Sequence, residues 1–209
     1  LLPSKSRLLF KKSGHAWEQR KFGEVISIST EMVDPKNRKY QDFLHVGPGN
    51  IEGFSGRLLD NVKTVGDENL ISNKFHFFKG DVIYGKINPQ LGKYIWANFE
   101  GLSSADTYVL NSKNNKRISQ GFIFYLLQTQ SFFKYSTMLS MRTGMPKINR
   151  RELSAYLFEV PSIAEQRRIV DGLSKIDNLI VANERQEKIA LIRSAQFSPT
   201  SLINFEYFR

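Results

Sequence analysis

The rhythm of apolar and polar positions in this 209-residue chain changes at Pro161. Upstream, short apolar runs alternate with turn signals. Residues 43–46 (FLHV), 82–84 (VIY), 94–97, 106–110 (DTYVL) and 156–160 (YLFEV) have the length and the β-branched or aromatic content of strands. Gly47-Pro48-Gly49-Asn50 and Lys79-Gly80-Asp81 read as turns between them. Residues 17–28 predict a short amphipathic helical turn leading into a strand, and residues 149–153 a second helical turn. Residues 119–139 carry apolar side chains at helical spacing and predict one helix. Strands and helices mixed in this way predict an α/β (α+β) globular domain over residues 1–160.

Downstream, residues 161–195 form a single helix-period segment. Ser162 is an N-cap candidate, and Glu165 three positions on completes a capping-box pattern. Ile169, Leu173, Ile176 and Ile180 recur at spacings of four and three, the seam of a coiled coil, and Val170 and Leu179 widen it. The same register then meets Asn183 and Glu187 before apolar residues resume at Ile189 and Ile192. A helix of about 34 residues spans roughly 50 Å, more than a domain of this size needs. The expectation is a projecting helix that pairs with another in an antiparallel coiled coil. Residues 196–209 read as a divergent tail.

Charge adds a partner class. The chain has 30 basic and 20 acidic residues, a net charge of +10. Within the helical segment six basic residues nearly balance five acidic ones, so most of the excess lies before Ser162. A basic globular body favours a polyanion, because each phosphate neutralised releases counterions. There is no cysteine, hence no disulfide or thiolate metal site. His15, His45 and His76 lack ligand spacing, so no metal site is expected. No apolar run approaches the roughly 20 residues of a membrane span, and the first residues lack the continuous apolar core of a signal peptide. The sequence predicts a soluble, cytoplasmic protein.

Catalytic motifs are missing. Gly47, Gly49 and Gly53 fit neither a dinucleotide fingerprint nor a phosphate loop, and neither G-x-S-x-G nor H-E-x-x-H occurs. Asn88-Pro89-Gln90-Leu91 shares two residues with the Asn-Pro-Pro-aromatic motif of adenine methyltransferases, but lacks its second proline and its aromatic. No catalytic residue is assigned. Two loops suit nucleic acid better. The first, 85–93, offers Lys86, Asn88, Gln90 and Lys93. The second, 142–151, offers Arg142, Thr143, Lys147, Asn149, Arg150 and Arg151. Arg suits guanine edges, Asn and Gln suit adenine, and Lys suits phosphate. By chemistry alone these residues fit solvated loops equally well. Phe75, Phe77, Phe78, Phe122, Phe124 and Phe132 read as core.

Several segments together resemble the DNA sequence-specificity (S) subunit of type I restriction–modification systems. They are residues 17–25 (WEQRKFGEV), 79–87 (KGDVIYGKI), 103–110 (SSADTYVL) and 143–148 (TGMPKI). The most specific is 160–169 (VPSIAEQRRI), followed by 175–180 (KIDNLI). The resemblance implies a target recognition domain followed by a conserved spacer helix, present once here and twice in the usual family member. It implies double-stranded DNA as ligand, one half of a split target as the sequence read, and methyltransferase (M) and restriction (R) subunits as partners. S-adenosylmethionine, ATP and Mg²⁺ are then expected in those partners, and a homodimer through the helix restores the two-fold arrangement. The other classes left open are a basic protein-interaction scaffold, a stand-alone DNA-binding protein, and a stand-alone nuclease or methyltransferase.

Overall fold

The computed structural model describes residues 17–142 and 144–196. The lead-in before Trp17, Thr143 and the tail beyond Gln196 lie outside the described residues. In chain order the elements are β1 (Glu18–Lys21), α1 (Phe22–Val25), β2 (Ile26–Ile28), β3 (Met32–Val33), β4 (Leu44–Val46), β5 (Lys63–Thr64), α2 (Val65–Glu68), β6 (Lys74–Phe77) and β7 (Val82–Gly85). There follow β8 (Tyr94–Trp96), β9 (Gly101–Ser103), β10 (Thr107–Ser112), α3 (Gln120–Leu126), α4 (Gln130–Ser140), α5 (Arg150–Ala155), β11 (Leu157–Val160) and α6 (Ile163–Gln196). The mixed α/β class expected from the sequence is the class observed.

β7 is buried at every position, as its uninterrupted apolar sequence requires. It lies inside an antiparallel sheet ordered β2-β10-β7-β8. A second, mixed sheet is ordered β3-β6-β9-β4-β5, with β4 and β9 parallel and the other pairs antiparallel. β1 pairs with β11, Glu18 opposite Val160. That pairing makes residues 18–21 a strand, so the predicted helical turn shrinks to α1.

Val46, Ile51, Phe75, Phe77, Ile83, Ile95, Ala97 and Val109, drawn from both larger sheets, form one apolar core. An aromatic cluster supports the other side. Phe22 is fully buried and stacks on Phe132, and Phe132 also meets Tyr84 and Tyr156 edge-on. Each such ring removed from water contributes about 2 kcal/mol before entropy. Of the six phenylalanines assigned to the core, five are buried, but Phe78 is 54% exposed. It lies just past the end of β6, where the strand no longer covers it.

The helix expected over 119–139 is two helices. Thr129 is extended, accepts the Phe132 N–H at 3.3 Å and donates its hydroxyl to the Leu126 carbonyl at 2.8 Å. It therefore ends one helix and caps the next. The break re-aims the apolar face. α3 is buried from Gly121 to Leu126, whereas α4 buries only Phe132, Ser136 and Ser140.

α6 starts at the expected cap, with the Glu165 N–H on Ser162 Oγ at 3.3 Å. The Glu165 carboxylate accepts the Trp17 indole N–H at 3.3 Å. Gln166 is fully buried. Its amide group donates to Arg117 O at 2.8 Å and Pro161 O at 2.9 Å, and accepts the Ser119 N–H at 2.8 Å. The described chain divides into two compact units, one ending at Ile169 and one running from Val170. In the second unit Leu173 is buried, Ile180 half-buried, and Ile176 and Leu179 exposed. Ile169, the first seam position, is already buried within the first unit.

Candidate nucleic-acid interface

The two basic loops, distant in sequence, form one surface. Ile87 and Lys147 are bridge partners. The Asn88 N–H donates to Pro146 O at 2.7 Å, and the Ile148 N–H to Lys86 O at 3.0 Å. The Lys86 N–H donates to Asp106 O at 3.0 Å, which ties the first loop to the turn before β10. These bonds satisfy backbone groups that loops otherwise leave to water. They hold the loops as a two-segment ribbon at the end of β7 and the start of β10.

Local chemistry sets the shape of the first loop. Asn88 is left-handed (φ 45°, ψ 56°), a conformation its short polar side chain tolerates, and it opens the 3₁₀ turn Pro89–Leu91. Gly92 closes the turn at φ +57°, where any side chain would run into the Phe54 ring at 2.5 Å. The second loop ends at α5. There Asn149 Oδ1 accepts the Glu152 N–H at 2.9 Å while Glu152 returns a bond to the Asn149 N–H at 3.0 Å.

Tyr108 lies beneath the ribbon. Its hydroxyl donates to Ile148 O at 3.2 Å. Lys86 Nζ sits 5.5 Å from its ring centre and the Arg150 guanidinium 5.1 Å. Burial pushes the Tyr108 phenol above its ordinary value while Arg150 pulls the other way, so the group stays a neutral donor. Nothing in the sequence singled out Tyr108. Only its alternation on β10 could have hinted at it.

The candidate residues divide by what they already hold. Arg150 is committed to the fold, donating to Ile28 O at 2.9 Å and Ser29 O at 2.5 Å, with Phe75 5.8 Å away. Asn149 is a helix cap. Arg142 donates to Leu139 O at 3.1 Å and pairs with Glu152. Lys93 Nζ donates to Ile51 O at 2.5 Å. Gln90 donates to Asn88 Oδ1 at 3.4 Å, and its own Oε1 is buried without a partner. Lys147 and Arg151 are exposed, and Lys86 and Asn88 half-exposed. Thr143 lies outside the described residues. The ribbon therefore leaves Lys86, Asn88, Lys147 and Arg151 for a ligand, while Arg150, Asn149 and Lys93 are engaged in the fold. Cations and an amide on a stiff backbone suit phosphate and base-edge contacts. Among the described residues no group of three or more His, Asp or Glu side chains could hold a metal ion, and no helix is long and apolar enough to cross a membrane.

Comparison with known proteins gives the family and the fold. Residues 15–193 match the family described as "Type I restriction modification DNA specificity domain". The chain is 32% identical over 177 residues to the "Type I restriction enzyme EcoDI specificity subunit" of Escherichia coli, covering 85% of this chain and 38% of that protein. It is 25% identical over 170 residues to the "Type I restriction enzyme HindI specificity subunit" of Haemophilus influenzae, covering 78% and 32%. Among solved structures, the fold is similar to the HsdS subunit from Thermoanaerobacter tengcongensis. The TM-score is 0.65 at 23% identity, over 93% of this chain and 49% of that one. A chain from a study of assembly of "the type I R-M system" gives a TM-score of 0.69 at 22% identity, over 92% and 50%. This chain thus spans about half of those structures and less than half of the curated relatives.

Proposed function

Because the chain belongs to the type I restriction–modification DNA specificity family, we propose that it reads one half of a bipartite duplex target and performs no chemistry itself. The observation that carries this reading is the joining of residues 86–88 to residues 146–148 in one basic ribbon through the bonds of Asn88 to Pro146 and Ile148 to Lys86. Lys86, Lys147 and Arg151 meet phosphates, and Asn88 meets a base edge. Arg150, Asn149, Lys93 and the Arg142–Glu152 pair hold the ribbon in shape.

The partners follow from the family. Methyltransferase subunits bring S-adenosylmethionine, and the restriction subunit brings ATP and Mg²⁺. A second copy of the chain supplies the other half-site, docking along α6. The exposed Ile176 and Leu179 favour such a pairing, whereas Ile169 is buried within the first unit. The protein works in the cytoplasm, beside those subunits and their DNA.

Binding-site selection with the purified chain and a pool of randomised duplexes tests the reading. One short sequence should emerge, bound about a thousandfold or more tighter than random duplex. A pool that stays random through successive rounds would overturn the assignment.

A further inference from the structure

Two large apolar side chains stand uncovered at the edge of the ribbon. Phe54 is 53% exposed and Leu91 49%. Phe54 also has φ +61°, a conformation that bulky residues rarely adopt. The strain is held in place by one backbone bond and one ring contact. Its N–H donates to Gly92 O at 2.8 Å, and its ring lies 5.7 Å from Phe133. Gly53 is pressed so close to the Leu91 carbonyl that a Cβ there would stand 2.6 Å from it. Residues 53–54 and the turn Pro89–Leu91 are therefore one tight unit, continuous with Asn88 and its bond to Pro146.

The cavity beneath Phe54, about 20 Å³, has room for one water, so the ring is no lid over a small-molecule site. A strained aromatic facing solvent is kept where it has something to meet. The Leu91 N–H donates to Asn88 O at 2.9 Å, so the pair adjoins the amide of the ribbon, and Asn88 is bonded to Pro146 beside Lys147 in sequence. Apolar side chains beside such cations and amides enter DNA between base pairs, unstacking a step so that the duplex bends around the protein. Resting on the DNA-reading assignment above, the geometry points to Phe54 and Leu91 as a wedge that inserts at one base step of the half-site. They would set specificity through the ease of unstacking that step rather than through hydrogen bonds.

The test uses the full chain and the duplex obtained by selection, with 2-aminopurine replacing each adenine near the site in turn. Wild type should raise the fluorescence at one step. Phe54→Gly, which relaxes the backbone at positive φ, should melt no lower than wild type, lose the fluorescence rise and bind that duplex about tenfold or more weakly. Leu91→Ala should act in the same direction. Neither substitution removes a charge, so the salt slope should stay that of wild type. If both variants bind like wild type and no step brightens, the wedge is overturned and the apolar pair is left for a protein partner. If selection returns no preferred duplex, the DNA-reading assignment fails first and takes the wedge with it.

Discussion

Gln166→Ala is the substitution whose cost is easiest to work from the structure. The side chain is fully buried and makes three hydrogen bonds of 2.8–2.9 Å, to Arg117 O, Pro161 O and Ser119 N. Each bond contributes about 1 kcal/mol net. Alanine leaves a buried N–H and two carbonyls to share whatever water can enter. The expected loss is about 3 kcal/mol, or roughly 6–12 °C in Tm for a chain of this length. Urea unfolding followed by far-UV circular dichroism would give the free energy, and a melting scan the shift. Gln166→Glu makes a sharper companion. It keeps an acceptor for Ser119 but turns a carboxylate toward two carbonyl oxygens. Burial beside them raises the folded-state pKa of that carboxyl, so the variant should be weakest near neutral pH and recover as pH falls and the group protonates. A loss under about 1 kcal/mol for Gln166→Ala would refute the idea that this side chain fastens the first turns of α6.

Further outcomes follow from other sites. Arg150→Ala should cost about 2–3 kcal/mol, because two backbone carbonyls and two aromatic rings lose their cation. Preference at a single base should stay intact; a stable variant with one relaxed base would make Arg150 a reader. Lys147→Ala should weaken all duplexes alike and lower the salt slope by about one, measured by fluorescence anisotropy across a salt series; an unchanged slope would remove Lys147 from the phosphate contacts. Asp81 is buried, and burial pushes its carboxyl above the ordinary value of 3.8 despite the Phe78 N–H it accepts at 2.9 Å. The folded chain therefore holds that proton longer, and stability declines as pH rises from about 4 through the elevated folded value. Asp81→Asn should flatten that acid-side slope in melting experiments, whereas an identical pH profile would show that burial does not strain Asp81.

Much of the fold was legible because burial leaves simple patterns. The apolar run at β7 marks a strand buried on both faces, and Ser162 with Glu165 marks the start of α6. The failures share a cause. β9 is only Gly101–Ser103, three residues too short for a period, and it is a strand because β6 and β4 flank it. The break at Thr129 lies inside a continuous apolar pattern, so spacing alone runs through it. For the proposed interface, residue types picked out two loops but not their shared ribbon, which depends on backbone bonds between distant segments. Nor could they divide the cations. Arg150 and Lys147 look alike in sequence, yet one is engaged in the fold and the other is exposed. The seam of α6 divides the same way, with Ile169 and Leu173 covered and Ile176 open.

Amide hydrogen exchange on the full chain, with and without the selected duplex, tests the central claim most directly. Residues 85–93 and 142–151 should gain protection together, as one surface covered by one ligand. Protection of neither segment, or of one without the other while the duplex is fully bound, would contradict the account.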